Sequence, residues 1–535
     1  MYEPELHDDP GRGLRRRELL IASAAAGLTL ALPINNRAAM ARNRRLPFAG
    51  EAKFLNGVSS GFPSPRAITV WTRVFGLDRS CRLNLEVAKD RGFRKIVERR
   101  EVIADARRDF TVHARIDGLK PSRQYFYRFE TRKSHSRVGR FRTLPPADSK
   151  EPVRIGFFSC QSYESGFFTP HAALAQEPDL DLVLCLGDYV YEHHFYDGPA
   201  ERVDRTGSNR DGDVQSLAEY RQKYRFYQSD PDLQDMHANH PFVAIWDDHE
   251  LEDNYNGAGN SPNQPDPNFD NTMTARRAPF TRRRANGYRA FFESMPRLQS
   301  KKSRNTIYGS LRLGATAELF LTDQRQYRDP QPCGDQLLMP CAEEDQPGRT
   351  MLGADQKRWL KRALPASNAK WKLWGSQVMM MALDLPVGKP VNPDQWDGYA
   401  AERREILEHF HGAGVQNLAV LSGDIHTIFA GELTTNGDLS GTPVGVELNG
   451  GSVTSTGIPE SVGIPSSTLQ KLVQPNDPHI TFVDFDHRGY GVVTASKEKL
   501  VGELKGVESV ASPTSPVSTL ARFEVAPGRP ELIRI

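Results

Sequence analysis

Between Val153 and His426 the chain repeats one device six times: a short apolar run that stops in a small polar cluster. Val153–Phe158 stops at Ser159-Cys160-Gln161, and Leu180–Leu186 at Gly187-Asp188-Tyr189-Val190-Tyr191-Glu192. Phe242–Trp246 stops at Asp247-Asp248-His249-Glu250, and Leu319–Leu321 at Thr322-Asp323-Gln324-Arg325. Trp371–Trp374 stops at Gly375-Ser376-Gln377, and Leu418–Leu421 at Ser422-Gly423-Asp424-Ile425-His426. Runs this short and this apolar read as strands buried on both faces, as in sheets covered by helices. Helical stretches at Ser216–Gln228, Ala354–Ala363 and Ala400–His411 supply the covering layers, so residues 151–535 are expected to form a layered α/β domain. Ligands of such domains sit beyond the carboxyl ends of the strands, which would bring the six clusters to one rim.

Residues 50–145 follow a different period. Ala67–Val74 is rich in β-branched and aromatic residues, and Leu83–Val87 alternates with period two. Leu119-Lys120-Pro121 followed by Tyr125-Phe126-Tyr127 resembles the tyrosine corner of fibronectin- and immunoglobulin-like sandwiches. An all-β sandwich of seven short strands is expected, structural rather than catalytic, with a Pro-rich polar linker at Leu144–Lys150.

The first residues read as an address. Arg16-Arg17 precede Leu19–Leu32, a run too short to span a bilayer but suited to the apolar core of a signal peptide. Ala39-Met40-Ala41 gives a small-x-small cleavage pattern, so residues 1–41 are expected to be removed. The arginine pair with Leu19-Leu20 resembles the twin-arginine export signal, although Arg15 and Ile21 depart from its pattern; an ordinary secretory signal or an uncleaved anchor is the alternative. Removing 1–41 takes away as many basic as acidic residues and leaves the formal charge of +2 unchanged. That balance gives no pull toward nucleic acid or anionic lipid. The mature chain has no further stretch fit to span a membrane, and is expected outside the cytoplasm, periplasmic or secreted, as a monomer.

The rim carries Cys160, Asp188, Tyr191, Asp248, His249, Asp424 and His426. Aspartate and histidine are the usual ligands of hydrolytic metal sites, and one carboxylate can bridge two ions that clamp a phosphoryl group. A phenol with a pKa near 10 binds as phenolate only to a strongly acidic ion such as ferric iron, and a thiolate prefers a transition metal. Asp248 and Asp424 suit a hard cation such as calcium. Each piece has a plainer alternative: a cysteine after a strand is commonly core, Asp-Asp-His-Glu can be a surface turn, and Ser-Gly-Asp-x-His can cap a helix. Their recurrence at successive strand ends favours a two-metal centre.

Taken together, Ser159-Cys160-Gln161, Gly187–Glu192, Trp246–Glu250, Asp323–Tyr327 and Ser422–His426 resemble the alkaline phosphatase D (PhoD) family. The family lies within the metallophosphoesterases and is similar to purple acid phosphatases around the metals. The resemblance implies an αββα domain that hydrolyses small phosphate mono- or diesters with Fe3+ and Ca2+, after export by the twin-arginine machinery. It implies Cys160, Tyr191 and His426 on iron, Asp188 as the bridge, and Asp248 and Asp424 toward calcium. Gln377 falls where a further ligand is expected. His249 would be no ligand but would bind the phosphoryl group or protonate the leaving alkoxide. Arg325 would hold a phosphate oxygen or form a structural ion pair. Metal-activated water needs no side-chain nucleophile, so no phospho-enzyme is expected.

Rival chemistries lack their motifs: there is no Gly-x4-Gly-Lys-Ser/Thr loop and no His-Glu-x-x-His. A secreted, metal-stabilised binding module for a cell-surface polymer is the alternative from another class. Cys185 reads as core, Cys333 and Cys341 flank a short loop and are able to pair in an oxidising compartment, and Cys81 has no evident partner. Thr281–Arg284 reads as a solvated helix face, Asn254–Asp270 as a surface loop, and His487–Tyr490 as a core turn or a cover for the site.

Overall fold

The sandwich expected at 50–145 forms from β1 (Val58–Gly61), β2 (Ile68–Arg73), β3 (Cys81–Ala88), β4 (Ile96–Ala104), β5 (Thr111–Ile116), β6 (Gln124–Glu130) and β7 (Gly139–Arg142). The structure, a computed structural model, describes residues 46–194, 202–257, 280–300, 303–335, 341–384 and 392–535. The signal-like segment 1–41 and most of the loop read at Asn254–Asp270 lie outside the described residues. In β6 the buried residues are Tyr125, Tyr127 and Phe129, alternating with polar ones as a half-buried strand must. The Tyr125 hydroxyl accepts a hydrogen bond from Lys120 N at 3.0 Å, which closes the corner.

Three parallel strands follow: β8 (Val153–Phe158), β9 (Leu182–Cys185) and β10 (Pro241–Ala244). A second sheet is built from β11 (Gly309–Leu313), β12 (Ala317–Leu321), β13 (Trp371–Gly375), β14 (Leu418–Ser422), β15 (Ile428–Thr434), β16 (Pro443–Gly450) and β17 (Ile480–Asp484). The chain then returns to the first sheet with β18 (Arg488–Ala495), β19 (Leu500–Val507), β20 (Val517–Val525) and β21 (Ile533–Arg534). The first sheet has ten strands in the order β21-β20-β19-β18-β8-β9-β10-β1-β2-β5, and the second seven in the order β11-β12-β13-β14-β16-β15-β17. The sandwich's other face is a 4-stranded sheet, β4-β3-β6-β7.

The inner faces of the two large sheets share one core: Phe157, Leu184 and Val492 from the first lie in the same cluster as Leu373, Leu421 and Leu448 from the second. Helices Thr169–Gln176, Leu217–Tyr227, Pro231–Asn239 and Phe280–Ser294 cover the first sheet with Leu174, Tyr224, Leu233 and Phe291. Helices Gly353–Ala366, Ala400–Gly412 and Ser466–Asn476 cover the second with Leu360, Ile406 and Leu469. Helix Leu217–Tyr227 starts where the sequence directs: Ser216 and Glu219 form a reciprocal capping box. The result is the αββα layering expected.

Three readings need amendment. The sandwich does not hang on a free linker: β1 pairs in parallel with β10, Ser60 opposite Pro241 and Gly61 opposite Phe242, so the two regions share one sheet. An unpaired strand edge exposes a row of backbone donors and acceptors, and β1 satisfies that of β10. Arg283 in the basic run is not solvated; it is buried and pairs with Glu252 at 2.9 Å. His487–Tyr490 is core but not a turn: Arg488, Gly489 and Tyr490 open strand β18. Arg488 Nε donates to Ser455 O at 2.8 Å, and the buried Tyr490 hydroxyl donates to Glu177 at 2.9 Å. Cys185 is buried core, and Cys333 and Cys341 are joined, with Cα atoms 5.5 Å apart. Among the described residues no helix is long and apolar enough to cross a membrane.

Candidate active site

The rim forms at the carboxyl ends of β8, β9, β10, β12, β13 and β14, and it brings the candidate ligands together. Cys160, Asp188 and His426 present ligand atoms all within 4.8 Å of one another. So do Asp188, Asp248 and His249, and so do Asp188, Asp247, Asp248 and Asp424. Asp188 belongs to all three groups, which is the position a bridging carboxylate must occupy.

The backbone makes this convergence by turning sharply at each strand end. Cys160, Asp188, Asp424 and His426 all adopt left-handed backbone, with φ of 58°, 52°, 67° and 56°. Non-glycine residues hold that region at a cost of order 1–3 kcal/mol each, and such strain gathers at functional sites. The two Gly-Asp pairs have a steric cause. A side chain at Gly187, itself at φ 130°, would collide with Asp247, and one at Gly423 would collide with Ser159. Glu250 splints two of the turns: its carboxylate accepts from Tyr189 N at 2.7 Å, Asp247 N at 2.8 Å and Asp188 N at 3.1 Å.

One half of the rim carries soft and neutral donors. Tyr191 Oη lies 3.2 Å from Asp188 Oδ2, 3.2 Å from His426 Nε2 and 2.7 Å from Ser455 Oγ. Ser455 Oγ in turn donates to Cys160 O at 2.9 Å. His426 Nδ1 donates to Thr456 O at 2.7 Å, which leaves the Nε2 lone pair facing the cluster, the tautomer a ligating histidine needs. Burial pushes the His426 pKa down to about 3, so the ring is neutral at pH 7. Burial, with Asp188 and Asp424 nearby, holds the Cys160 thiol well above its usual range, a preference that a bound cation reverses.

The other half is acidic. Burial raises Asp188 and Asp247 well above the usual carboxylate range and Asp424 to about 6, in spite of Arg325 beside the last two. Two buried oxygens here have no hydrogen-bond donor: Asp248 Oδ1, and Gln377 Oε1, whose amide nitrogen donates to Trp246 O at 2.9 Å and Thr322 O at 2.8 Å. Buried acceptors without donors are costly, and oxygen-only sets of this kind suit hard cations. The donors of both halves therefore fit metal ions.

His249 lies between the halves, its ring stacked on Tyr191 with centroids 4.1 Å apart. Its Nδ1 is 2.8 Å from Glu192 Oε2, and Glu192 also accepts from Asp253 N at 2.7 Å. Burial opposes charge on this ring, but Glu192, Asp248 and Asp188 outweigh it and raise its pKa well above the usual value. A ring nitrogen comes close enough to Asp188 and Asp248 for ligation as well.

For Arg325 the geometry supports the ion pair of the two readings. It is fully buried, and its guanidinium contacts Asp247 through Nε and Nη2, Asp394 at 2.7 Å and Asp424 at 2.8 Å, with Asp248 at 3.5 Å. Four of its five N–H groups are held in this way. Sequence reasoning missed the roles of Asp247, Glu192, Glu250, Asp394 and Ser455. The first three stood inside motifs already singled out; Ser455 follows the apolar strand β16 through Gly450-Gly451, a weaker version of the same strand-end signal.

Comparison with known proteins identifies the family. The PhoD-like phosphatase family profile matches residues 155–504, and the profile of the PhoD-like phosphatase N-terminal domain matches residues 39–145. Alkaline phosphatase D of Bacillus subtilis (strain 168) is 33% identical over 529 residues, covering 95% of this chain and 87% of that protein. The solved structure of PhoD superposes with a TM-score of 0.78 at 30% identity, covering 91% of this chain and 93% of that one. The purple acid phosphatase PPD1 from yellow lupin shares the fold, with a TM-score of 0.56 at 12% identity over 90% of this chain and 75% of its own. The chain belongs to the PhoD-like phosphatase family and is a phosphoric ester hydrolase.

Proposed function

We propose that the chain is an exported phosphatase or phosphodiesterase with a mixed centre, ferric iron on Cys160, Asp188, Tyr191 and His426 and calcium on Asp188, Asp248, Gln377 and Asp424. The observation that carries this is the single carboxylate, Asp188, common to a thiol–imidazole group and an all-carboxylate group. When bound, the ions would lower the pKa of a water and neutralise charge developing on the phosphoryl oxygens. The chain's own part is orientation and proton transfer. Asp188 sets the spacing of the two halves. Glu192 fixes the His249 ring through Nδ1, and its Nε2, 3.7 Å from Asp253 Oδ1, would hydrogen-bond the phosphoryl group or protonate the departing alkoxide. No serine or threonine nucleophile is needed. Export through the twin-arginine pathway, with Arg16-Arg17 as its signal, and a monomeric mature chain complete the proposal.

The test is elemental analysis of the exported protein together with turnover of p-nitrophenyl phosphate and bis-p-nitrophenyl phosphate at alkaline pH. One iron and one or more calcium ions per chain with hydrolysis of either ester is the expected result. Tyr191→Phe should abolish the visible band of a phenolate bound to ferric iron. Turnover without bound metal, or a trapped covalent phosphoserine or phosphothreonine, would refute the mechanism.

A further inference from the structure

The carboxylate half of the rim already contains a cation, and that cation belongs to the chain. Arg325 is fully buried and touches Asp247, Asp424 and Asp394, with Asp248 at 3.5 Å. Asp248 and Asp424 are two of the residues proposed above for the harder ion. The guanidinium does not rest on them alone. Asp394 holds Arg325 Nη1 at 2.7 Å and Arg328 Nη1 at 2.8 Å on the same oxygen, Oδ1, which also accepts from the Gln331 amide. Arg328 is further tied to Tyr255 O at 3.2 Å and Asp394 O at 3.3 Å. Next in sequence, Gln395 donates to Asp424 Oδ2 and accepts from Met379 N at 2.6 Å. Arg325 is therefore braced from behind, through Asp394, independently of whatever Asp248 and Asp424 hold.

Charge arithmetic gives the brace a meaning. Two guanidinium groups, Arg325 and Arg328, face four carboxylates, Asp247, Asp248, Asp394 and Asp424, which leaves two negative charges before Asp188, shared with the other half, is counted. A divalent ion balances that remainder. The loss of a divalent ion leaves an internal counter-charge in contact with the same oxygens.

We propose that Arg325, positioned by Asp394 and Arg328, is a resident counter-cation that makes the divalent ion of the Asp248–Asp424 half exchangeable without loss of the fold. This rests on the two-metal reading above. Arg325 lowers the affinity of the half for its ion by repulsion, and in return carries the carboxylates when the ion leaves. Asp394 works in the opposite sense, since it draws the guanidinium back from Asp424. Both are positioning residues, because neither need touch substrate.

The experiment uses purified full-length enzyme, stripped of its weakly held divalent ion with EGTA and titrated with calcium chloride. Calcium affinity and the Tm of stripped and loaded protein are read together. Wild type should show a small gap between the two Tm values. Arg325→Gln should bind calcium about tenfold tighter or more, with a Tm that falls far more in the stripped form than in the loaded one. Asp394→Asn, which keeps the guanidinium, should bind calcium about tenfold more weakly. It also serves if Arg325→Gln does not fold. Equal falls in Tm for both forms of Arg325→Gln, or calcium affinity unchanged in Asp394→Asn, would overturn the proposal. Wild-type protein that binds no divalent ion under any of these conditions would instead refute the two-metal reading itself.

Discussion

The two halves of the rim solve one electrostatic problem in opposite ways. Around Cys160, Tyr191 and His426 the hydrogen-bond partners are neutral apart from the shared Asp188: Ser159, Ser455 and the carbonyl of Thr456. The thiol there is held protonated and must lose its proton to bind, whereas the imidazole is already in its neutral form. Around Asp248 and Asp424 the neighbours are charged, and a guanidinium balances part of the burial cost. The first half thus gives its ion a site with little else to hold, the second a site in competition with the chain. On the two-metal proposal, one shared residue, Asp188, would join a tight subsite to an exchangeable one.

The sharpest way to break the comparison is at the shared residue. Asp188→Asn should lower kcat/KM by about a thousandfold or more and release ions from both halves. Loss from one half alone, read by elemental analysis, would show that the halves are not joined there. Next in size is His249→Gln, which removes proton transfer and should cost about 10²–10⁴-fold with a poor alkyl leaving group. The loss should be much smaller with p-nitrophenolate, which leaves without a proton; equal losses for both would assign His249 to metal binding instead. Glu192→Gln should cost about 10–100-fold by loosening the same ring, with the leaving-group dependence retained.

A pH experiment separates the halves without mutation. Asp188, Asp247 and Asp424 have folded pKa values raised above their unfolded ones, so in chelated protein the folded state binds more protons in that window. Stability of the chelated form should therefore fall as pH rises from about 4 through about 6, the value of Asp424, and on above it as Asp188 and Asp247 ionise. Metal-loaded protein, whose carboxylates are held ionised, should lack that fall, so the gap between the two Tm curves widens with pH. Parallel curves would mean that the acidic half is not where the ions sit. The smallest effect belongs to the sandwich: Tyr125→Phe removes one corner hydrogen bond, should cost about 1 kcal/mol of stability, and should leave kcat unchanged.

Much of this was legible because buried parallel strands advertise themselves. Val153–Phe158 and Leu418–Ser422 are apolar on both faces and stop where the sheet stops, so Cys160 and Asp424 could be assigned to one rim before any coordinates. The tyrosine corner was equally local. Long-range electrostatics was not legible. Nothing near Asp394 in the chain announces that it braces Arg325, 69 residues away, and no periodicity distinguishes a buried arginine from an exposed one. The continuity of sandwich and catalytic sheet was also hidden, because the β1–β10 pairing joins segments far apart in the chain. Arg283 was misread for the same reason: its carboxylate, Glu252, lies in another element.

The strand order carries one more consequence, for the timing of synthesis. β8, which delivers Cys160, has β18 as one of its two neighbours, with Phe157 opposite Gly491. Pairings this distant are closed late, after nearly all of the polypeptide has left the ribosome. Cys160 therefore cannot reach its final surroundings while the chain is still growing. A cell that moved this protein across a membrane residue by residue would have to assemble the centre on the far side, whereas one that waits for the last strands could do so before the protein departs.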